Sequence, residues 1–204
     1  MYSSRRLLVF LTISIMAVMA WSLIGARDYI TWILEALPVI IGFFILYLTH
    51  NKFTFTPLSY WLFWFGGVFI LIGAHYTYSE MPLFNWLKNE FDLSRNHYDR
   101  FGHIVQGIVP AIISRELLLR TTQLKNGIWI IIIVLSICLA KSVVYEFAEW
   151  IVAISFGQSA DDFLGIQGDQ WDAQKDMAWA LFGAILSLSF LSKYHDAQLR
   201  KYTA

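Results

Sequence analysis

Glu35, His75, His103, Glu146 and Asp176 each interrupt a separate apolar stretch of this sequence. Each stretch can be centred on a bilayer midplane and read outward at about 1.5 Å per residue. All five residues then fall ~7–11 Å from that plane, on one side of it. A charged side chain inside a membrane segment costs about 2.5–3.5 kcal/mol on insertion scales, so a layer of them points to a polar site built into a helical bundle. Imidazoles and carboxylates gathered at one depth can relay protons, hold a cation or take the polar head of a ligand.

Local spacing adds candidates around this layer. Asp99, His103, Gln106 and Pro110 follow i, i+4, i+7, i+11 and share a helical face. An Asp four residues before a His can orient the imidazole for acid–base work or for metal ligation. Pro110 cannot donate to the carbonyl of Gln106 and favours a bend there. Glu146 and Glu149, three apart, face the same way as Ser142 and Ala153; two carboxylates so close share a proton, bind a cation or recruit a base. Lys141 lies near the midplane with no acidic residue at i±4, so its expected partner comes from another helix, Glu35 or Glu146 being nearest in depth. Asp172 and Asp176 are four apart and flank Lys175, with Gly183 on the face of Asp176 to allow close helix approach. Glu35 precedes Pro38, whose disturbed backbone could itself be its partner.

A reaction read from these residues uses His103 as acid–base, held by Asp99, with Glu146 and Asp176 binding a cation or sharing protons. Arg100, Lys141 or Lys175 would receive a phosphate, and Gln106, Glu149, Asp172, His75 and Glu35 complete the candidate binding set. A divalent cation, if bound, would take Glu146, Asp176 and His103. The sequence holds no H-E-x-x-H, no glycine-rich phosphate loop and no G-x-S-x-G elbow.

The elements that position these residues are apolar runs of bilayer-spanning length. Six are read, at about 7–26, 30–49, 59–78, 98–119, 127–156 and 174–192. Of the 204 residues, 57% are hydrophobic and 15% charged, too few charges for an ordinary soluble domain. Nine Trp, ten Tyr and sixteen Phe supply the aromatic residues that favour membrane interfaces. The expected fold is therefore all-α: one integral membrane domain, 1–204, a bundle of six transmembrane helices. The first run is read as a retained anchor, being longer than a signal peptide core. Zero formal net charge excludes a bulk nucleic-acid-binding surface, and the single cysteine, Cys138, excludes an internal disulfide.

Basic residues set the expected orientation. Arg5, Arg6, Lys52, Arg120, Lys125, Lys193, Arg200 and Lys201 all fall at one end of the spans, which the positive-inside rule assigns to the cytoplasm. Both termini are thus expected inside a bacterial inner membrane, and the ionisable layer faces outward. The outer connections are the long ones. Residues 79–97 carry Met81-Pro82 and then Phe84, Trp86 and Leu87, the pattern of a short interfacial helix. Residues 157–173 include Asp161 and Asp162, then Gly168 for a tight turn and Asp169 as a helix cap.

With these motifs in view, the chain resembles the YjdF family of bacterial inner-membrane proteins over its whole length. Its second half also resembles the VanZ-like pattern, in which Asp-Lys-x-x-His opens one helix, Glu-x-x-Gln lies in the next and Asp-x-x-x-Asn-x-x-Gly in the last. Here Arg100 replaces the Lys, Glu149 the Gln and Ala180 the Asn, while Asp99, His103, Glu146, Asp176 and Gly183 keep their places. These resemblances imply a multi-pass inner-membrane protein with a role in the cell envelope. The leading functional expectation is a site that binds or modifies a lipid or lipid-linked envelope compound. A small transporter or proton-coupled permease is a second reading, and a structural envelope or stress protein whose polar layer only locks helices is a third.

Overall fold

The computed structural model describes residues 2–156 and 167–202, whose regular elements are all helical. Six of the helices are long and apolar enough to cross a membrane: α1 (Tyr2–Leu23), α2 (Tyr29–Thr49), α3 (Pro57–Tyr76), α5 (Tyr98–Thr121), α6 (Ile128–Phe156) and α7 (Asp172–Leu199). The short α4 (Pro82–Glu90) occupies the connection where an interfacial helix is expected, with Pro82 in its first turn and Trp86 exposed. The protein is thus an all-helical, multi-pass membrane protein. Its large exposed side chains, such as Phe44, Tyr47, Ile154 and Phe190, lie on the spans, where lipid rather than water is the solvent.

Two boundaries differ from the sequence reading, each for a local reason. The first span ends at Leu23 because the chain turns at Gly25, whose φ of 71° is the left-handed region. The last runs to Leu199 rather than 192, so Lys193, His195 and Asp196 are helical rather than part of a tail. Asp161 and Asp162 lie outside the described residues. Asp169 does not cap α7. Its Oδ1 accepts from the backbone N–H of Trp171, two residues on, a side-chain-closed turn that precedes the helix. Gly168, at φ 84°, makes the tight turn expected of it.

Two three-helix groups make the bundle. In the first, Trp32, Ala36 and Val39 of α2 pack with Ile15 of α1 and Leu71 and Ala74 of α3. A relay ties their polar atoms, since Trp32 donates to Ser22 Oγ (2.9 Å) and Ser22 donates to the carbonyl of Leu71 (2.5 Å). In the second, Ala111 of α5, Ala184 of α7 and Ile130, Val134 and Cys138 of α6 form the core, so the lone cysteine is a small buried apolar residue. The tightest crossing is α5 on α7. A Cβ at Gly107 would stand 1.9 Å from the carbonyl oxygen of Ala180, and one at Gly183 would stand 2.1 Å from that of Ile104. The pair of glycines lets two backbones meet where larger residues would hold them apart. α3 and α5 join the groups, Tyr98 donating to the carbonyl of Phe69 (2.7 Å) and stacking on the Phe69 ring.

Candidate functional site

The polar residues of α5, α6 and α7 meet at the end of the bundle away from the chain termini. The α5–α7 crossing sets this up. Asp99 and His103 occupy the first turns of α5, Asp172 and Asp176 the first turns of α7, and the close glycine contact draws the two helix starts together. Asp99, His103 and Asp176 are all buried, and each offers a ligand atom within 4.8 Å of the others. Glu146 of α6 flanks this trio on the His103 side. His103 Nε2 is 3.6 Å from both Glu146 Oε1 and Asp99 Oδ1.

A ring of cations and carboxylates covers this centre. Arg100 donates to Asp169 and Asp172, each at 2.8 Å, and its Nε is 3.6 Å from Asp176 Oδ1. Lys175 donates to Asp169 at 2.6 Å. Arg95, from the connection before α5, reaches Asp172 directly and stands 3.6 Å from Asp99. The two long connections are clamped together here. Asn96 N–H donates to Gln167 Oε1 (2.8 Å) and Gln167 Nε2 donates back to the Asn96 carbonyl (3.1 Å). Hydrogen bonds from Lys175 and from the Trp171 N–H hold the Asp169 carboxyl well below its usual range. Burial, reinforced by Arg95 and Arg100, pushes the neighbouring His97 imidazole down.

His103, Glu146 and Asp176 of the five-residue layer therefore share one centre, joined by Asp99. Glu35 lies beside it. This buried carboxylate on α2 accepts from Tyr145 OH (3.4 Å), and the Tyr145 ring sits edge-on to His103 at 6.1 Å. Its partners are thus tyrosines, Tyr145 of α6 and Tyr78, rather than the backbone at Pro38. Glu149 is within electrostatic reach of Asp99, Glu146, Glu35 and Asp176. His75 is not brought to the centre. Its Nδ1 pairs with the carbonyl of Ser22 (3.0 Å) and its ring stacks on Trp21, which satisfies it where α1 meets α3. Lys141 also departs from expectation: it donates to Gln106 (3.2 Å), not to Glu35 or Glu146.

A second polar cluster, at the termini-bearing end, was not anticipated from the sequence. Glu116 of α5 is fully buried. It accepts from Thr56 N–H and Oγ1 (both 2.8 Å), Ser59 Oγ (2.5 Å), Arg120 (2.6 Å) and His195 Nε2 (3.2 Å). Arg115 in turn donates to His195 Nδ1 (3.1 Å) and Asp196 (2.6 Å). Since Nδ1 accepts, the proton of His195 lies on Nε2 and points at Glu116. The i, i+4 spacing of Glu116 and Arg120 was the available signal. Arg95 gave none, lying with Lys88 in a mixed-charge connection without a spacing that marks it.

Between the two helix groups runs a largely apolar cavity of about 860 Å³, lined by α1, α2, α3 and α5. Pro38, Gly42, Phe63, Gly66, Val109 and Pro110 form its walls; Gln106 and Lys141 are the polar residues at its end nearest the centre, and His50 and Asn51 line the termini-bearing end. Gln106 lies one turn of α5 from His103, so the cavity runs up to the polar centre.

These features define a multi-pass membrane protein with a polar centre embedded among its spans. Residues 7–197 match the family described as "Predicted membrane protein (DUF2238)", and the chain belongs to that family. It is also similar to the Inner membrane protein YjdF of Escherichia coli (strain K12), at 42% identity over 179 residues, 88% of this chain and 86% of that relative. The resemblance to the YjdF family read from the residues is thereby confirmed. No solved structure matches the chain.

Proposed function

We propose that this protein is an inner-membrane protein that binds an anionic amphiphile, a lipid or lipid-linked envelope compound, at a site facing the periplasm. The tail lies in the apolar cavity and the head at its polar edge, beneath His103. The observation that carries this is Lys141. Its hydrogen-bond partner Gln106 is neutral, and no carboxylate among the described residues lies within ion-pairing distance of its ammonium. A cation held at membrane depth without a counter-charge is costly, and a phosphate arriving with the ligand supplies that charge. Arg100 and Lys175 are already held by Asp169 and Asp172, so Lys141 is the phosphate contact of the three. His103, Asp99, Glu146 and Asp176 then stand on the head-group side, where an acid–base group or cation would act.

The cavity volume falls in the ordinary range for ligand sites, about 300–1,000 Å³. A locking role for polar groups suits the Glu116–His195 cluster, which is closed and hydrogen-bonded on every side, better than the open centre around His103. The same closure argues against the permease reading, which calls for a matching polar vestibule at the termini-bearing end.

The test is mass spectrometry of lipids that copurify with the full-length protein in mild detergent, with comparative lipidomics of deletion and overexpression strains to identify the compound. The wild type should retain an anionic lipid that Lys141→Gln loses while remaining monodisperse. Equal retention by the variant, or a wild type that carries only bulk lipid, rejects the proposal.

A further inference from the structure

We infer that Asp99, His103 and Asp176, with Glu146 beside His103, form a binding site for one divalent first-row transition-metal ion, between the starts of α5 and α7 and facing the middle of α6. Three independent features support it. The first is spacing. His103 Nε2 is 3.6 Å from Asp99 Oδ1 and from Glu146 Oε1, too long for a hydrogen bond. Ligands around an ion bound at ~2.0–2.2 Å sit roughly 3–3.6 Å from one another, the gap found here. The second is that polar atoms aimed into the centre are orphaned. Asp176 Oδ1 and Glu146 Oε1 are buried without a hydrogen-bond partner, and the Asp176 side chain is only 3% exposed. A buried carboxylate oxygen left unpaired is expensive, and a bound cation removes that cost.

The third is charge. The carboxylates of Asp99, Glu146, Asp169, Asp172 and Asp176 face the cations Arg95, Arg100 and Lys175. Carboxylates outnumber cations here, with Glu149 a further carboxylate within reach, and a divalent ion reduces that excess. The short arginine hydrogen bonds go to the outer carboxylates Asp169 and Asp172, whereas Arg100 Nε and Arg95 stand 3.6 Å from Asp176 Oδ1 and Asp99 Oδ2, beyond hydrogen-bond distance. Ligand type selects the ion. One imidazole with carboxylates favours zinc or manganese, whereas magnesium and calcium prefer an all-oxygen shell. This inference stands apart from the amphiphile proposal, because it concerns a different set of side chains and is measured without lipid.

Full-length protein purified in detergent and stripped with chelator is dialysed against Zn²⁺ or Mn²⁺, then assayed for bound metal. About one ion per chain should bind saturably, and excess Mg²⁺ or Ca²⁺ should not displace it. His103→Gln and Asp176→Asn, both near-isosteric, should each weaken binding at least about tenfold. His75→Gln, which removes an imidazole outside the centre, should bind as wild type does. Should either ligand variant fail to fold, Glu146→Gln with stripped wild-type protein carries the same comparison. Stripped wild-type protein that takes up no ion overturns the assignment, and so does uptake unaffected by all of the ligand substitutions.

Discussion

His195 Nε2 donates to Glu116 over 3.2 Å at one end of the bundle, whereas the His103–Glu146 pair at the other end is held 3.6 Å apart with no hydrogen bond between them. Two histidine–glutamate pairs in one fold thus stand in opposite states. Glu116 has every oxygen engaged by Thr56, Ser59, Arg120 and His195, while Glu146 Oε1 and Asp176 Oδ1 have no hydrogen-bond partner. A saturated buried network fixes a structure; an unsaturated one awaits a ligand.

That contrast predicts opposite responses to removing a carboxylate. Glu116→Ala leaves the buried His195, Thr56 and Ser59 and the neighbouring Arg120 without their common acceptor. It should destabilise by about 3–5 kcal/mol, the range for breaking a buried ion pair. Asp176→Asn at the open centre should change stability by less than about 1 kcal/mol, because its Oδ1 accepts no hydrogen bond and Arg100 Nε stands 3.6 Å from it. Thermal unfolding of both variants in one detergent decides between them. An Asp176→Asn loss as large as that of Glu116→Ala would make the open centre a second structural lock.

The α5–α7 crossing supports a second expectation. Added methyl groups at Gly107 or Gly183 run into backbone carbonyls, which cannot swing aside as a side-chain tip could. Gly107→Ala and Gly183→Ala should each cost ~1–3 kcal/mol or more, the range for overpacking. Because this crossing also positions Asp99 against Asp176, the substitutions should weaken metal uptake along with stability. A stable Gly183→Ala protein with unchanged melting would contradict the observed approach of the helices.

Much of this arrangement was legible in the sequence because bilayer energetics makes the signal strong. Six apolar helices of spanning length, the short helix at Pro82 and the approach of Asp99, His103 and Asp176, with Glu146 beside His103, follow from apolar length and helical spacing. Other features needed coordinates. His75 shares the depth of the layer, but depth says nothing of azimuth, and its ring faces α1. Lys141 found an uncharged partner across helices, which intrahelical spacing cannot report. The Glu116 cluster was missed because its members lie on three separate elements: the cap of α3 and the C-terminal ends of α5 and α7.

Asp169 gives the mouth of the site a defined acid response. Its folded pKa is depressed, chiefly by the hydrogen bond from Lys175 and then by that from Trp171 N–H. A depressed carboxylate contributes stability that is fully present above its unfolded value, about 3.9, and is lost as pH falls through the lower folded value. Melting temperature should therefore be insensitive to this group at neutral pH and decline below pH ~4. Asp169→Asn should be less stable at pH 7 and show a flatter acid limb. A variant whose acid profile superimposes on the wild type would remove Asp169 from the clamp.

Orientation is testable from the same fold. Six crossings, an even number, return the C-terminus to the side where the N-terminus began. By the positive-inside rule Lys52 and Arg120, in or next to the turns at that end, and the basic termini predict that it is cytoplasmic, which would turn the polar centre and α4 toward the periplasm. Phe91, exposed in the turn after α4, is a suitable reporter because Cys138 is buried and can be replaced by Ala. In that background Phe91→Cys should react with a membrane-impermeant maleimide in intact spheroplasts, and fluorescent-protein fusions at either terminus should fluoresce. Labelling only after lysis, together with dark fusions, would invert the protein and turn its metal and head-group centre toward the cytoplasm.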